Sequence, residues 1–517
     1  MKFKISSYSN FERKPDHGWA WIILLSSFII QLGIDGTLSS YGLIRSEMNN
    51  DEEFFRGQNL TLSMLTYPGT VNVACFLSGT LLGSFMVGYV GAMLLGFIGS
   101  VMVFIGLFVP PFFTNIYLWI VLYGVMAGVG QGLLLLISLV MVHHYFDRYR
   151  GIACGISMSG AGFGYLSIPF MVNSLISIYG WLDASKYFCV FLTMINFLCC
   201  CVMIPPKDLH HEGEKAMKNH ELTKETKAFL NSAATLSDSQ HLEQPIWSTF
   251  SEMKKLRQNT NLFSSSYSKY PGDKLDVDLF YTNSIKSLLI ATAKRIDEPP
   301  ETVLEHKSDI SVENLVGEIG FKALFKRPEF YIVLIFNFCF QSGYIVPFYY
   351  MEGYAQGRVS RDRIVNVFQI LGVFHALGRV FGGFLGNIRN VNIIAASMCS
   401  LLVCGVYQFI FLTMPISFAY ISLYTSIHGF ISGIPISILS LILVELFGLE
   451  NLNLSLGLVS VSKAIASVIG PLIIDQQVAV LKSNQIAFMF NGGVLVFSGL
   501  LHIGILLMNL IKKIRRL

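Results

Sequence analysis

Charged residues are scarce in this chain. Asp, Glu, Lys and Arg together make up 14% of its 517 residues, whereas hydrophobic residues make up 53%. A soluble domain holds about 25% charged residues, and so much apolar surface could not be packed into one water-soluble core. The composition therefore excludes an ordinary soluble protein and favours several membrane-spanning helices. The small formal net charge of +4 gives no indication of a nucleic-acid partner.

Patterns typical of metal, cofactor or catalytic sites are also missing. The nine cysteines all fall inside apolar stretches without metal-ligand spacing, which excludes a disulfide framework and a zinc site. The sequence contains no Walker-type glycine loop, and no helix carries a nucleophile with a matching base. We therefore expect no cofactor, no metal and no enzymatic activity.

A cleavable signal peptide is missing as well. Residues 1–18 are polar and basic, and the apolar run that follows is too long for the hydrophobic region of a signal sequence. We expect the first helix to be retained as a membrane anchor.

What the chain does contain is a series of twelve apolar stretches, each of roughly 18 or more residues and so long enough to cross a bilayer as a helix. They form two groups of six, separated by one long polar segment. This layout is typical of secondary transporters built from two halves. We predict an all-α membrane protein with twelve transmembrane helices in two six-helix bundles, near residues 19–43, 61–84, 87–109, 117–142, 152–175 and 186–205, and then 328–350, 364–388, 391–413, 417–445, 455–475 and 487–511.

The same pattern predicts the domain organisation. The polar segment is rich in Lys, Glu, Ser, Asn and Thr and has too little apolar content for a core, so we expect it to be largely disordered. The predicted parts are an amino-terminal tail at 1–18, the first bundle at 19–206, a linker at 207–322, the second bundle at 323–511 and a basic tail at 512–517.

The distribution of basic residues predicts the orientation. Lys and Arg flank both termini and are abundant in the loop after the fourth helix and in the linker. The positive-inside rule places these segments, and both termini, in the cytosol of a plasma-membrane protein. Arg358, Arg361 and Arg363 would then face outward as an exception. Asn59 begins a glycosylation sequon on the outer side, and its use stays open.

Two short signatures resemble a known family. Residues 15–21 read Pro-Asp-His-Gly-Trp-Ala-Trp, and residues 145–150 read Tyr-Phe-Asp-Arg-Tyr-Arg before a series of small residues that ends at Gly164. Both resemble signatures of the monocarboxylate transporter family, a branch of the major facilitator superfamily. His17 and Ala20 stand where the family has glycine. Further similarity covers both bundles but not the linker.

The resemblance implies the major facilitator fold and a carrier that moves a small organic anion, a monocarboxylate, across the bilayer by alternating access. It also implies a single-span immunoglobulin-type escort protein as a partner, although no residue of this chain points to one. Two rival functions stay open: a non-transporting ligand sensor on a transporter scaffold, and a facilitative carrier of aromatic amino acids.

The strongest candidate for substrate binding is Arg379, in the middle of the eighth helix. An arginine at mid-bilayer costs about 2.5–3.5 kcal/mol on insertion scales, so it should face a watery cavity and an anionic partner. A structural ion pair within the bundle is the alternative. Tyr344 and Phe348 bracket an expected irregularity at Gly343 and Pro347 and are candidates for lining the same cavity, with core packing as their alternative.

The resemblance implies that Arg379 binds the substrate carboxylate. Proton-coupled family members carry an aspartate one turn earlier, where this chain has His375, and a lysine in the first helix, where this chain has none. Symport and facilitated diffusion therefore both stay open. Asp35, His375 and His428 are the remaining candidates for a charge or proton role. Lys463 is a second basic candidate, with extension of its ammonium to the cytosolic bilayer surface as the alternative.

A cytosolic gate is the last prediction. Arg148 and Arg150 lie at an inner helix end of the first bundle, and Glu445 lies at an inner helix end of the second. We expect an ion pair between the bundles when the substrate site faces outward.

Overall fold

The computed structural model of the protein describes residues 16–51, 64–204, 324–355, 357–449 and 451–514. Most of the amino-terminal tail, the Asn59 sequon, the linker predicted at 207–322 and the last three residues lie outside this part of the chain, so the predictions made for them stay predictions. The described helices belong to one compact unit.

Within the described residues, twelve helical spans follow one another. The first bundle contains α1 (Gly18–Asn50), α2 (Tyr67–Val90), α3 (Ala92–Phe108), α4 (Ile116–Tyr145), α5 (150–179) and α6 (181–202). The second contains α7 (Pro328–Tyr344, continued by Val346–Ala355), α8 (Arg361–Asn387), α9 (Ile393–Leu412), α10 (Phe418–Phe447), α11 (Leu452–Leu481) and α12 (Gln485–Ile514).

Helices α5 and α6 are joined almost without a loop. The continuous segment Arg150–Val202 has 53 residues, about 80 Å of helix at 1.5 Å per residue, which is more than twice the thickness of a hydrocarbon core. Gly180 divides it, because its φ of 78° lies in the left-handed region that glycine tolerates and other residues avoid. Counted as two spans, this segment completes the twelve, and the predicted all-α membrane fold is confirmed.

Helix α7 is interrupted where the sequence predicted an irregularity. Its first part ends at Tyr344, Ile345 forms a turn, and a second part starts at Val346 with Pro347 in its first turn. Gly343, just before the break, permits close contact with α12: a Cβ there would lie 2.7 Å from the Asn491 Oδ1. Tyr344 and Phe348 lie on either side of the break, and their rings pack against each other.

Several helix ends meet on one side of the bundles, which we call the terminal side. The Asp16 amide at the start of α1 donates to the carbonyl of Tyr145 at the end of α4, and the Tyr145 hydroxyl donates to the carbonyl of Ile204 behind α6. Arg327, before α7, donates to the carbonyl of Leu446 near the end of α10.

Helix α5 uses glycines on two faces. Gly160 and Gly164 contact the carbonyls of α1 within the first bundle, whereas Gly151 and Gly155 contact α8 of the second bundle. A Cβ at Gly155 would lie 2.8 Å from the Cα of Gly383, so the two main chains touch directly. Both bundles therefore meet closely along α5 and α8 near the terminal side.

Helices α2 and α11 form a second contact between the bundles. A Cβ at Gly457 would lie 2.9 Å from the Cα of Leu81. Gly457 lies near the start of α11 and Leu81 in the later half of α2, so this contact also lies toward the terminal side. The structure is therefore closed on the side where the chain begins.

Candidate functional site

Arg379 lies at the interface between the bundles. Its side chain is 5% exposed, and one guanidinium nitrogen donates to the main-chain carbonyl of Met158 on α5 at 2.6 Å. The Nε atom is buried without a hydrogen-bond partner. Among the described residues, no acidic side chain forms an ion pair with Arg379 within 4 Å. The charge is thus hydrogen-bonded across the interface but not neutralised.

Tyr344 and His375 extend the cluster around this guanidinium. The Tyr344 hydroxyl lies 3.3 Å from the His375 Nε2, and it is also within interaction range of Arg379. His375 lies one turn before Arg379 on α8 and is 1% exposed. The structure therefore brings together three residues that the sequence had nominated separately.

An aromatic contact joins the bundles beside this cluster. The ring of Phe348 packs against Tyr344 at a centroid distance of 5.4 Å and against Tyr165 of α5 at 5.5 Å. Sequence reasoning missed Tyr165, which follows Gly164 of the second signature. The only local signal was an aromatic hydroxyl among the small residues of α5, and many packing residues share it.

Asp35 approaches the cluster from α1. It is half-buried and interacts electrostatically with Arg379 and with the hydroxyl groups of Tyr165 and Tyr344. Asp35 and Arg379 do not form an ion pair, because no oxygen–nitrogen contact within 4 Å joins these two described residues. A negative group therefore faces the positive group across a gap.

Lys463 belongs to the same interior region. It is half-buried on α11 and interacts electrostatically with Arg379. The sequence made Lys463 a second basic candidate, with extension of its ammonium toward the bilayer surface as the alternative. Ser467 and Gly470 lie on the same face of α11 as Lys463 and contact α7, which places Lys463 on the inner side of the helix.

His428 lies behind the cluster, within the second bundle. Its Nδ1 lies 3.3 Å from the Cys404 Sγ of α9, its Nε2 has no partner, and its ring stacks near Tyr424. These contacts favour the packing alternative for His428 over direct contact with a substrate. The part of the chain that the structure describes holds no group of three or more metal-ligating side chains.

The predicted gate pair is not formed in this structure. Arg150 donates to the carbonyl of Phe146 at 2.9 Å and pairs with Asp147 at 3.4 Å, while Arg148 lies over the ring of Tyr149. Glu445 is exposed, and it makes no ion pair with either arginine, all three being described residues. The two bundles close here through glycine contacts, since short main-chain distances need no side-chain charge.

The two sequence signatures meet at the terminal side. Asp16 has a φ of 63°, and its carboxylate accepts hydrogen bonds from the amides of Asp147, Arg148 and Tyr149 at 3.0–3.3 Å. An acidic side chain is favourable there, because the amides at the start of a helix lack partners and carry partial positive charge. The first signature therefore fixes the loop that the second signature encodes.

Comparisons with known proteins agree with this geometry. A family model described as Major Facilitator Superfamily matches residues 23–471. Monocarboxylate transporter 9 of Pongo abelii is 24% identical and covers 94% of this chain and 93% of its own length. Monocarboxylate transporter 14 of Homo sapiens is 22% identical, with 88% and 84% covered. These relatives support the resemblance drawn from the two signatures.

A solved structure shows the same fold. The crystal structure of the human organic anion transporter MFSD10 (TETRAN) matches with a TM-score of 0.56 at 14% identity, over 93% of this chain and 98% of that one.

Proposed function

The chain belongs to the major facilitator superfamily, whose model matches most of its length, and from that premise we propose that it is a secondary carrier for a small organic anion of the monocarboxylate class. The names of its relatives point to the same class of solute. The carrier lies in the plasma membrane, has both termini in the cytosol and works by alternating access. An immunoglobulin-type escort protein stays a prediction.

The observation that supports this proposal most directly is the state of Arg379. It is a buried guanidinium at the bundle interface, it has an unpartnered Nε, and it lacks a carboxylate partner among the described residues. A guanidinium binds a carboxylate with two parallel hydrogen bonds. A substrate carboxylate would supply the partner that the protein does not, and Tyr165, Tyr344 and Phe348 would contact its apolar part.

Alternating access has a physical basis in the same interface. The main chains of α5 and α8 touch near the terminal side, and those of α2 and α11 touch there as well. Glycine-lined surfaces can separate without breaking side-chain ion pairs. With cytosolic termini, these contacts close the cytosolic side of the protein. In the second state of the cycle these contacts would separate, and the anion would be released to the cytosol.

The test is uptake by the purified protein in liposomes, with labelled butyrate as the probe. Loss of a buried charged hydrogen bond costs about 1.5–3 kcal/mol, so Arg379→Gln should lower uptake at low substrate concentration at least tenfold. Arg379→Lys keeps the charge and should retain part of the uptake. The matched control is Arg389→Gln, an exposed arginine beyond the end of α8, which should behave as wild type.

Three other outcomes would contradict the proposal. Equal uptake by wild type and Arg379→Gln would remove this residue from the site. Saturable butyrate binding without uptake would favour the sensor alternative. Uptake of phenylalanine that butyrate does not inhibit would favour the aromatic amino-acid carrier.

A further inference from the structure

We propose that Lys463 is a second binding group of the anion site, and that Arg379, Lys463 and Asp35 together select substrates with a net charge of minus one. This inference rests on the proposed function and extends it: the proposed function needs one cation, whereas the structure places two cations and one acid in the same interior region.

The contacts of α11 place Lys463 beside α7. Residues 463, 467 and 470 share one face of α11, because residues three and four apart lie on the same side of a helix. Ser467 accepts a hydrogen bond from the Gln341 Nε2 at 3.1 Å, and a Cβ at Gly470 would lie 3.1 Å from the Cα of Ser342. Lys463 therefore continues, one turn nearer the terminal side, the face that contacts α7.

Helix α7 links this face to Arg379. Gln341, which bonds to Ser467, lies three residues before Tyr344, and the Tyr344 hydroxyl lies in the Arg379 cluster. The electrostatic interaction between Lys463 and Arg379 agrees with this path. The two cations therefore lie on different helices of the second bundle, and both helices bond to α7, α11 through Gln341 and α8 through Tyr344.

Neither the Lys463 ammonium nor the Asp35 carboxylate has a partner within the described part of the protein. Among the residues that the structure describes, the Lys463 ammonium and the Asp35 carboxylate make no hydrogen bond or ion pair, and both side chains are half-buried. Arg379 keeps an unpartnered buried Nε. A buried ionised group is costly unless it is paired, and the Arg379 Nε is such a group. The half-buried Lys463 and Asp35 are free to pair with a ligand that reaches Arg379.

The three charges are arranged by depth. Arg379 lies eight residues before the end of α8, and Lys463 lies eleven residues after the start of α11, so both are about 12–17 Å from the terminal side at 1.5 Å per residue. Asp35, seventeen residues into α1, lies about 25 Å from that side. The anionic end of a ligand is therefore expected near the two cations, with its apolar body toward Tyr344.

The charges sum to plus one. His375 and His428 are each 1% exposed and have no acidic partner among the described residues, so we count both as neutral. A monoanion then leaves the occupied site neutral. A zwitterion would leave one positive charge unpaired, and a dianion would leave one negative charge unpaired. The protein should therefore prefer a monoanion over a zwitterion or a dianion of similar size.

Three four-carbon acids test this rule: butyrate as the monoanion, γ-aminobutyrate as the zwitterion and succinate as the dianion. Wild type should prefer butyrate. Lys463→Met lowers the sum to zero and should shift the preference toward γ-aminobutyrate by at least tenfold relative to butyrate. Asp35→Asn raises the sum to plus two and should shift it toward succinate by a similar factor. Lys463→Arg keeps the charge and should keep the wild-type order.

Two readouts are needed: uptake in liposomes, and stabilisation of the detergent-purified protein against heat by each acid. Lys482→Met, at the exposed end of α11, is the matched control and should retain the wild-type order. Variants that do not fold are recognised by their melting curves, and Lys463→Arg then supplies the comparison, since its folded form must keep the order.

The outcomes separate this inference from the proposed function. If wild type takes up butyrate but Lys463→Met changes all three acids equally or not at all, the inference fails and the carrier stands. If the acids stabilise the protein in the expected order without uptake, the inference holds and the carrier fails. If no acid binds or moves, both are overturned.

Discussion

A side chain added at Gly155 should open the terminal side of the protein. A Cβ at this position would lie 2.8 Å from both the main-chain oxygen of Arg379 and the Cα of Gly383. Non-bonded carbon atoms are at their best separation at about 3.5–4.0 Å, so α5 and α8 would have to separate by about 0.7–1.2 Å. No side-chain rotation can relieve this contact, because both neighbouring atoms belong to the main chain.

The expected size of the effect follows from the contact. Overpacking of a close interface costs about 1–3 kcal/mol, and it acts only in the state in which α5 and α8 touch. Gly155→Ala should therefore shift the equilibrium between the two facing states about 5–150-fold away from the closed terminal side. Because the proposed substrate site lies along the same helix pair, uptake should fall as the shift grows, and Gly155→Val should produce a larger shift than Gly155→Ala.

The shift can be measured as a distance. Genetically encoded spin labels at Arg148 and Asn390, both exposed near the terminal side, should report a longer mean separation and a broader distribution in Gly155→Ala. Gly42→Ala is the matched control, since nothing lies within 4 Å of a Cβ at that helical glycine. An unchanged distribution in both Gly155→Ala and Gly155→Val would refute the assignment of α5 and α8 as the closing contact.

Three further predictions concern other parts of the site. Asp16→Ala removes the acceptor of three amides and, like the loss of a helix cap, should lower stability by about 0.5–2 kcal/mol, seen as a lower melting temperature; Asp183→Ala, an exposed acid, should cost less. Glu445→Gln should leave uptake within about twofold, because the structure shows no pair with Arg150; rescue of a defective Arg150→Glu by Glu445→Arg would instead restore the gate. Tyr165→Ala should raise the KM for butyrate more than Tyr165→Phe, because the ring contact and not the hydroxyl is shared with Phe348; equal effects would contradict that reading.

The membrane spans could be read from the sequence because hydropathy is a local property. Each apolar stretch needs about 20 residues to cross the bilayer, and within the described residues each predicted stretch contains a helix. The break in α7 was also predictable, since Gly343 and Pro347 act on their own main chain. The predicted stretches 152–175 and 186–205 left a gap between α5 and α6. The structure has no loop there, because Gly180 alone turns the chain between the two helices.

The candidate site was only partly predictable. Arg379 stood out because a charge in an apolar helix carries a large local cost, and this cost is visible without knowing any neighbour. Tyr165 did not stand out, because an aromatic residue in a membrane helix is ordinary until a second helix brings Phe348 against it. Lys463 could be taken for a surface residue for the same reason: distance along α11 does not tell which face meets α7.

By itself the sequence determined the number of spans, their order, the family and one unusual charge, since each of these depends on residues close together in the chain or on a continuous pattern. The tertiary structure decided which charges share a space, which stay apart and which surfaces close. Arg150 and Glu445 looked complementary in sequence but do not pair, whereas Arg379 and the Met158 carbonyl, far apart in the chain, form a hydrogen bond. Electrostatic interactions depend on separation in space, and only the packing of the helices sets that separation.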